Sequence, residues 1–331
     1  MIETPTRELR AFDSAVACTA CGSIEAAAQM FASYGFDNRD ERFDIVRCRT
    51  CGLARTSPFP DTAQLASYYS ASYYGDGNRK KFFGPVEWFA QSENRQRAGN
   101  LEKHGARSGR VLDIGCGRAG FLKALQARAY DCYGLEIPGF PLAPSEPGLT
   151  LFHGDPEMLG FEGAFFDAVS IWHVLEHTQN PSKVLREISR VLKPGGVLAL
   201  AVPNFGSTQA RLFGKNWFHL DLPRHLFHFT EPMLTKMLRD TGLEPVRVST
   251  HSIHQNLYGF IQSLLNGLFP RTPNKLFNFL KGGNKKESSL AGMLPHLAVA
   301  SSAFPLAVLE SAWSGVTGSG ASLIIYARKK A

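Results

Sequence analysis

The sequence predicts an α/β fold: a doubly wound, mainly parallel sheet, with a small cysteine module before it and a helical insertion before its last strand. Three observations predict this. From Gly109 onward, β-rich runs alternate with helical ones, the pattern of strands joined by crossover helices. The first such run ends in a glycine-rich loop that opens a helix. Four of the six cysteines fall into two CxxCG units near the N-terminus, a spacing typical of metal knuckles.

The 331 residues are 44% hydrophobic and 20% charged, which excludes a disordered or collagen-like chain. Lys and Arg number 36 against 29 Asp and Glu, a formal charge of +7. That balance is compatible with nucleic acid, anionic lipid or an anionic small substrate, and selects none. Six cysteines are too few for a disulfide scaffold at this length. The opening MIETPTRELRAFDS has no apolar core of the secretory type, so a cytoplasmic protein is expected.

Residues 1–56 are expected to form a zinc-ribbon-like module. Cys18 and Cys21 stand in C-T-A-C-G, Cys48 and Cys51 in C-R-T-C-G, with 26 residues between Cys21 and Cys48. Four thiolates in this pattern suit a tetrahedral structural zinc, with Gly22 and Gly52 permitting the tight turn around sulfur. Two reduced pairs without metal are the alternative. Between the knuckles Arg39, Arg42 and Arg47 face Glu25, Asp37, Asp40, Glu41 and Asp44. A net-acidic ribbon is a poor reader of phosphate, so no nucleic-acid partner is expected.

Residues 57–108 read as an aromatic linker with a helix from Val86 to about His104. Tyr68, Tyr69, Tyr73 and Tyr74 are expected either in a lid over the cofactor or in plain packing. The core occupies 109–331. Its strands are RVLDIG, CYGLEI, a run ending near His153, FDAVSIW, GGVLALAVP, EPVRVSTH and SLIIYARKK; FLKALQARA, SKVLREISRVL and MLTKMLRDTG are its helices. The stretch from about 251 to 318 is too long for a simple connection and must carry structure of its own.

In the loop Asp113-Ile114-Gly115-Cys116-Gly117-Arg118-Ala119-Gly120, GxGxxG alone would also suit a dinucleotide. Asp113, two residues before the first glycine, would face an ammonium rather than a phosphate. Glu136 ends the next strand, placed for two ribose hydroxyls, and Asp155 follows the third, placed for an adenine amino group. With VLDIGCGRAGFL, GLEI, HGD, FDAVSIWHVLEH and LKPGGVLALAVPN, the span from Gly109 to His251 plus the last strand resembles the class I S-adenosylmethionine-dependent methyltransferases. The resemblance implies a Rossmann-like sheet and S-adenosylmethionine as cofactor, with S-adenosylhomocysteine as product. It implies that Asp113, Gly115, Cys116 and Gly117 bind the methionyl end, Glu136 the ribose and Asp155 the adenine. Trp172 and His173 would line the sulfonium. Similar cysteine knuckles followed by YY…YYG occur in a subset of bacterial methyltransferases.

Two segments are candidates for acceptor chemistry. In Trp172-His173-Val174-Leu175-Glu176-His177, a helix would put His173, Glu176 and His177 on one face. Ubiquinone-pathway O-methyltransferases carry Glu-x-x-Glu-His here, which can hold a divalent cation; His173 departs from that pattern. The bland alternative has Glu176 and His177 orienting the loop. The second segment, Asn216–Phe229, offers His219, His225 and His228 with Asp221 and Arg224 among aromatics. His225 and His177 are the candidate catalytic residues. Arg224 suits an anionic substrate group, or else pairs locally with Asp221.

The expected activity is methylation of a small-molecule or lipid-like acceptor, first at oxygen, then at carbon. A catalytically silent cofactor-binding regulator and, behind it, a nucleic-acid methyltransferase are the alternatives. Leu290 to Leu309 carries no Asp, Glu, Lys or Arg, near the length of a bilayer span, but Pro295, His296 and Pro305 favour a buried or interfacial hairpin. It is expected in the acceptor site or its lid. The bases Arg271, Lys275, Lys281, Lys285 and Lys286 face only Glu287 nearby. The insertion is therefore expected to make peripheral membrane contact or an oligomer contact.

Overall fold

The computed structural model describes residues 17–24, 28–36, 41–69, 84–142, 144, 146–280 and 290–330. Tyr73, Tyr74, Lys281, Lys285, Lys286 and Glu287 lie outside these residues, as do Glu25, Asp37, Arg39 and Asp40 and the opening sequence to residue 16.

The N-terminal sheet is antiparallel, with β1 (Ala28–Tyr34), β2 (Arg42–Arg47) and β3 (Ala54–Ser57). A short helix α1 (Thr62–Ser67) follows, opened by a capping box in which Asp61 and Gln64 exchange side chain and backbone bonds. Helix α2 (Gly84–Lys103) then leads into the core. The core elements in chain order are β4 (Arg110–Ile114), α3 (Gly120–Gln126), β5 (Asp131–Glu136), β6 (Leu149–His153), β7 (Phe166–Trp172), α4 (Pro181–Val191) and β8 (Leu192–Pro203). After them come α5 (Thr208–Phe213), β9 (Phe227–His228), α6 (Glu231–Asp240), β10 (Leu243–Ser249), the helices α7 (Ile253–Leu268), α8 (Lys275–Leu280) and α9 (Leu290–Thr317), and β11 (Ser322–Lys329).

The large sheet has seven strands in the order β10-β11-β8-β7-β4-β5-β6. Strands β8, β7, β4, β5 and β6 are parallel, whereas β11 runs antiparallel between β8 and β10. Near-continuous apolar runs make this possible: Val111, Leu112, Ile171, Leu198 and Leu200 are fully buried, as strands covered on both faces require. Helix α4 shows how the covering layer forms. Asn180 caps it by accepting from Lys183 N, Pro181 sits in its first turn, and Val184, Leu185, Ile188 and Val191 face the sheet at helical spacing.

Two local expectations differ from the structure. The Leu192–Gly196 turn is absorbed into the start of β8, where a register shift against β7 leaves the extra residues unpaired and Gly195 adopts φ +75°. In the 172–177 segment, His173 takes a left-handed φ of +54°, and only Leu175–His177 form a 3-10 turn. The cause is local: His173 N donates to Ala201 O, which holds the backbone to β8 and breaks a helix at its start.

The cysteine module is built onto the core. Strand β9, from the histidine segment, adds to β3 as a fourth strand. Phe43, Ile45 and Ala54 bury themselves with Trp217, Leu220 and Leu222. The first sheet therefore rests on the segment expected to carry acceptor chemistry.

Candidate active site

Parallel pairing aligns the carboxyl ends of the core strands. Ile114 stands opposite Leu135, Glu136 opposite His153, and Trp172 opposite Ala201. Ligands in open α/β sheets bind outside this edge. Gly115 N and Cys116 N both donate to Leu135 O, which pins the glycine loop onto β5. Gly115 and Gly117 have φ of +75° and +53°, conformations that L side chains avoid. A Cβ on Gly115 would lie 2.3 Å from Val174 Cγ2, while one on Gly117 would meet open space. The loop is thus tight on the protein side and bare at Gly117.

Glu136 closes this loop from the neighbouring strand. Its Oε2 accepts from Gly117 N and its Oε1 from Ile137 N, each at 2.9 Å. One carboxylate thus stands at the loop with lone pairs remaining for two adjacent hydroxyls. Asp113 is buried and accepts from Ser170 Oγ at 2.6 Å; burial pushes its carboxyl up to about 7. Asp155 is exposed, with Oδ1 turned to Glu157 N. Trp172 packs edge-on to Phe121 and carries the Arg97 guanidinium 4.5 Å from its ring centroid. Arg97, from α2, was not singled out from sequence; its only trace there is the i,i+4 pair with Glu93. The bare Gly117, the fixed Glu136 and the flanking Trp172 fit S-adenosylmethionine.

The second part of the site adjoins the first through Val174. Glu176 is fully buried, and neither carboxylate oxygen has a hydrogen-bond partner. Burial pushes its carboxyl up to about 7. Around it stand His173 Nδ1 at 3.5 Å and His225 Nε2 at 3.9 Å from Oε1. His225 Nδ1 lies 2.9 Å from His219 O, and His177 Nδ1 lies 3.0 Å from Arg224 O. A carbonyl only accepts, so Nδ1 carries a proton in both rings, and Nε2 is the lone-pair nitrogen of the neutral tautomer. The two imidazoles meet edge to face at 4.6 Å between centroids. Burial holds His225 well below the ordinary imidazole range and His173 at about 4. His177 is only partly buried, and Tyr69 Oη sits 2.9 Å from its Nδ1.

This cluster is gripped by the first sheet. Thr56 N donates to Leu226 O, Thr56 Oγ1 donates to His225 O at 2.6 Å, and Leu226 N donates to Glu176 O. No sequence signal marks Thr56, because its partners lie 169 and more residues away. Of the tyrosines, Tyr69 reaches the site, whereas Tyr68 turns away and donates to Glu41. Arg224 is buried against Asp221 and stacked over Phe36, so it is committed internally rather than open to an anionic substrate. Glu176, His177 and His225 also offer one donor atom each within 4.8 Å of one another, compact enough to hold a cation.

The four cysteines come together as their spacing requires. Their sulfurs all lie within 4.8 Å, with Cys18–Cys51 at 3.5 Å and Cys21–Cys48 at 3.8 Å. Both knuckles fold alike: Gly22 N donates to Cys18 O and Gly52 N to Cys48 O, with positive φ at each glycine. A tetrahedral zinc with Zn–S of about 2.3 Å needs sulfurs roughly 3.8 Å apart, so the cluster fits zinc.

The fold and motifs match known proteins. A family model described as a methyltransferase domain covers residues 89–248. A ubiquinone biosynthesis O-methyltransferase from Xanthomonas axonopodis pv. citri is 33% identical over 168 residues, 45% of this chain and 67% of that protein. One from Xanthomonas oryzae pv. oryzae is 30% identical over 137 residues, so the chain spans 55% of that relative's length. A solved Galdieria sulphuraria protein described as a sarcosine dimethylglycine methyltransferase shares the fold at TM-score 0.50 and 15% identity, covering 80% of this chain and 98% of its own. With its sheet order and glycine loop accounted for by the same kinship, the chain belongs to the class I S-adenosylmethionine-dependent methyltransferases.

Proposed function

We propose that the protein methylates a hydroxyl oxygen of a small-molecule acceptor, with His177 Nε2 as proton acceptor. One observation carries this reading: His177 Nδ1 is engaged by a backbone carbonyl, so its free Nε2 belongs to a partly exposed ring beside the cofactor edge. The names of the O-methyltransferase relatives favour oxygen. When bound, S-adenosylmethionine supplies an electrophilic methyl group on a sulfonium, leaving S-adenosylhomocysteine.

Asp113, Gly115, Cys116, Gly117, Glu136, Asp155, Trp172 and His173 hold that cofactor, Glu136 through the ribose hydroxyls. His177 takes the acceptor proton as the oxygen becomes nucleophilic. His225, buried and neutral, orients His177 through their edge-to-face contact, and Tyr69 Oη shares the Nδ1 that Arg224 O holds. The cysteine cluster binds one structural zinc, which holds β3 and thereby Thr56 against His225.

The test has two parts. Calorimetric titration is expected to show S-adenosylmethionine binding. Release of S-adenosylhomocysteine is then followed over a panel of phenols, catechols and sugars. Turnover on a hydroxylated acceptor, unchanged by added magnesium, supports the base; binding without turnover on any acceptor pool refutes it.

A further inference from the structure

Helix α9 has its amphipathic faces reversed for a helix in water. The residues turned inward are Met293, His296, Ala303, Ala307, Ser311 and Ser314, which are small or polar apart from Met293. Those turned outward are Leu294, Phe304, Leu306, Leu309, Trp313 and Val316, between 51% and 87% exposed. At 100° per residue the inward set fills an arc of about 80°, and the outward set about 200°. The helix is 28 residues long, and its outward apolar residues run from Leu294 to Val316, about 33 Å along the axis. It lies beyond the matched methyltransferase domain, which ends at residue 248. Its large side chains point outward, whereas the sequence reading places this run in the acceptor site or its lid.

We propose that α9 docks the protein on an anionic membrane surface, lying flat in the interface. This rests on exposure and charge alone, independent of the methyltransferase chemistry. An apolar patch of this size on a soluble protein calls for a cover. A partner helix covers a narrow seam; a convex arc of about 200° is covered by a medium that flows around it. No side chain on the outward arc is charged. Glu310, the helix's one acid, turns inward to Gln209 and Ser314. Exposed Arg271 and half-buried Lys275, whose Nζ donates to Gly292 O in the first turn of α9, put positive charge at that end. The helix is tied to the protein along its length, which favours lying in the interface over crossing a bilayer. His296 bonds Thr272 and stacks on Phe269, and Gln209 holds Glu310.

The experiment is co-flotation of the full-length protein with vesicles of phosphatidylcholine alone and with 30% phosphatidylglycerol, alongside fluorescence quenching by brominated acyl chains. Binding to the anionic vesicles at least 10-fold tighter than to the neutral ones is expected. Leu306→Glu with Leu309→Glu should weaken it at least 10-fold more, and W313F should lose most of the quenching. If the charged variant fails to fold, quenching of the unsubstituted protein against W313F decides alone. The proposal is overturned if no vesicle binds. It is also overturned if quenching persists in W313F, or if sedimentation shows a dimer in solution that the charged variant dissolves.

Discussion

The cofactor edge and the acceptor edge of this protein touch at Val174 yet are assembled in opposite ways. The cofactor edge is drawn from one stretch, Asp113 to His173, along adjacent parallel strands whose register alone places Gly117 beside Glu136. The acceptor edge gathers Thr56 and Tyr69, Glu176 and His177, and His219 to His228, from three distant parts of the chain. Its geometry depends on the first sheet staying in place. The cofactor edge has no such dependence. The difference teaches that, under the proposed function, binding and turnover would rest on separable supports.

The widest separation should come from His177→Gln. Turnover is expected to fall roughly 10²–10⁴-fold, the range for losing a general base, while cofactor affinity by calorimetry stays put. Gly115→Ala is the reverse case: its Cβ strikes Val174 and the residue is left at φ +75°. Cofactor binding is expected to weaken on the order of 100-fold, about 2.7 kcal/mol. Adding Val174→Ala should restore part of that loss, because it relieves the clash and leaves the strained φ.

Glu176→Gln probes the buried acid. A carboxyl raised to about 7 in the fold binds its proton there while the unfolded chain has lost it. Its stabilising contribution is therefore full below the unfolded value near 4.5 and fades as pH rises through 7. Thermal unfolding of the wild type should lose on the order of 2 kcal/mol between pH 5 and 8 from this group, and the Gln variant should show a flatter profile. The smallest effect is Thr56→Val, which removes one buried donor to His225 O at a cost of about 1 kcal/mol in denaturant unfolding. It should slow turnover a few-fold and leave cofactor affinity alone.

The contrast also explains what the sequence could reveal. Cys18, Cys21, Cys48 and Cys51, the glycine loop, Glu136 and the alternation of strands and helices were legible because each depends on short spacing or on period. Thr56 was not, since its role exists only through β3 pairing with β9. The 172–177 segment misled for a related reason: helical spacing was correct for the side chains, but a backbone bond from His173 to Ala201 sets the turn instead. Arg224 looked available because sequence cannot show that Phe36 covers it. The uncharged run was plain in composition, and only its burial pattern showed that the large residues face outward.

The most direct test of separable supports is zinc removal, with Cys48→Ser and Cys51→Ser together or with a strong chelator. Metal analysis should first find one zinc per chain in the wild type and none in the variant. Cofactor affinity and turnover are then measured on the same zinc-free sample. The expected result is affinity within about 3-fold of wild type, a difference under ~1 kcal/mol, with turnover largely lost and faster amide exchange at Thr56 and Leu226. Loss of cofactor affinity in step with the zinc, or full turnover without it, would contradict the account.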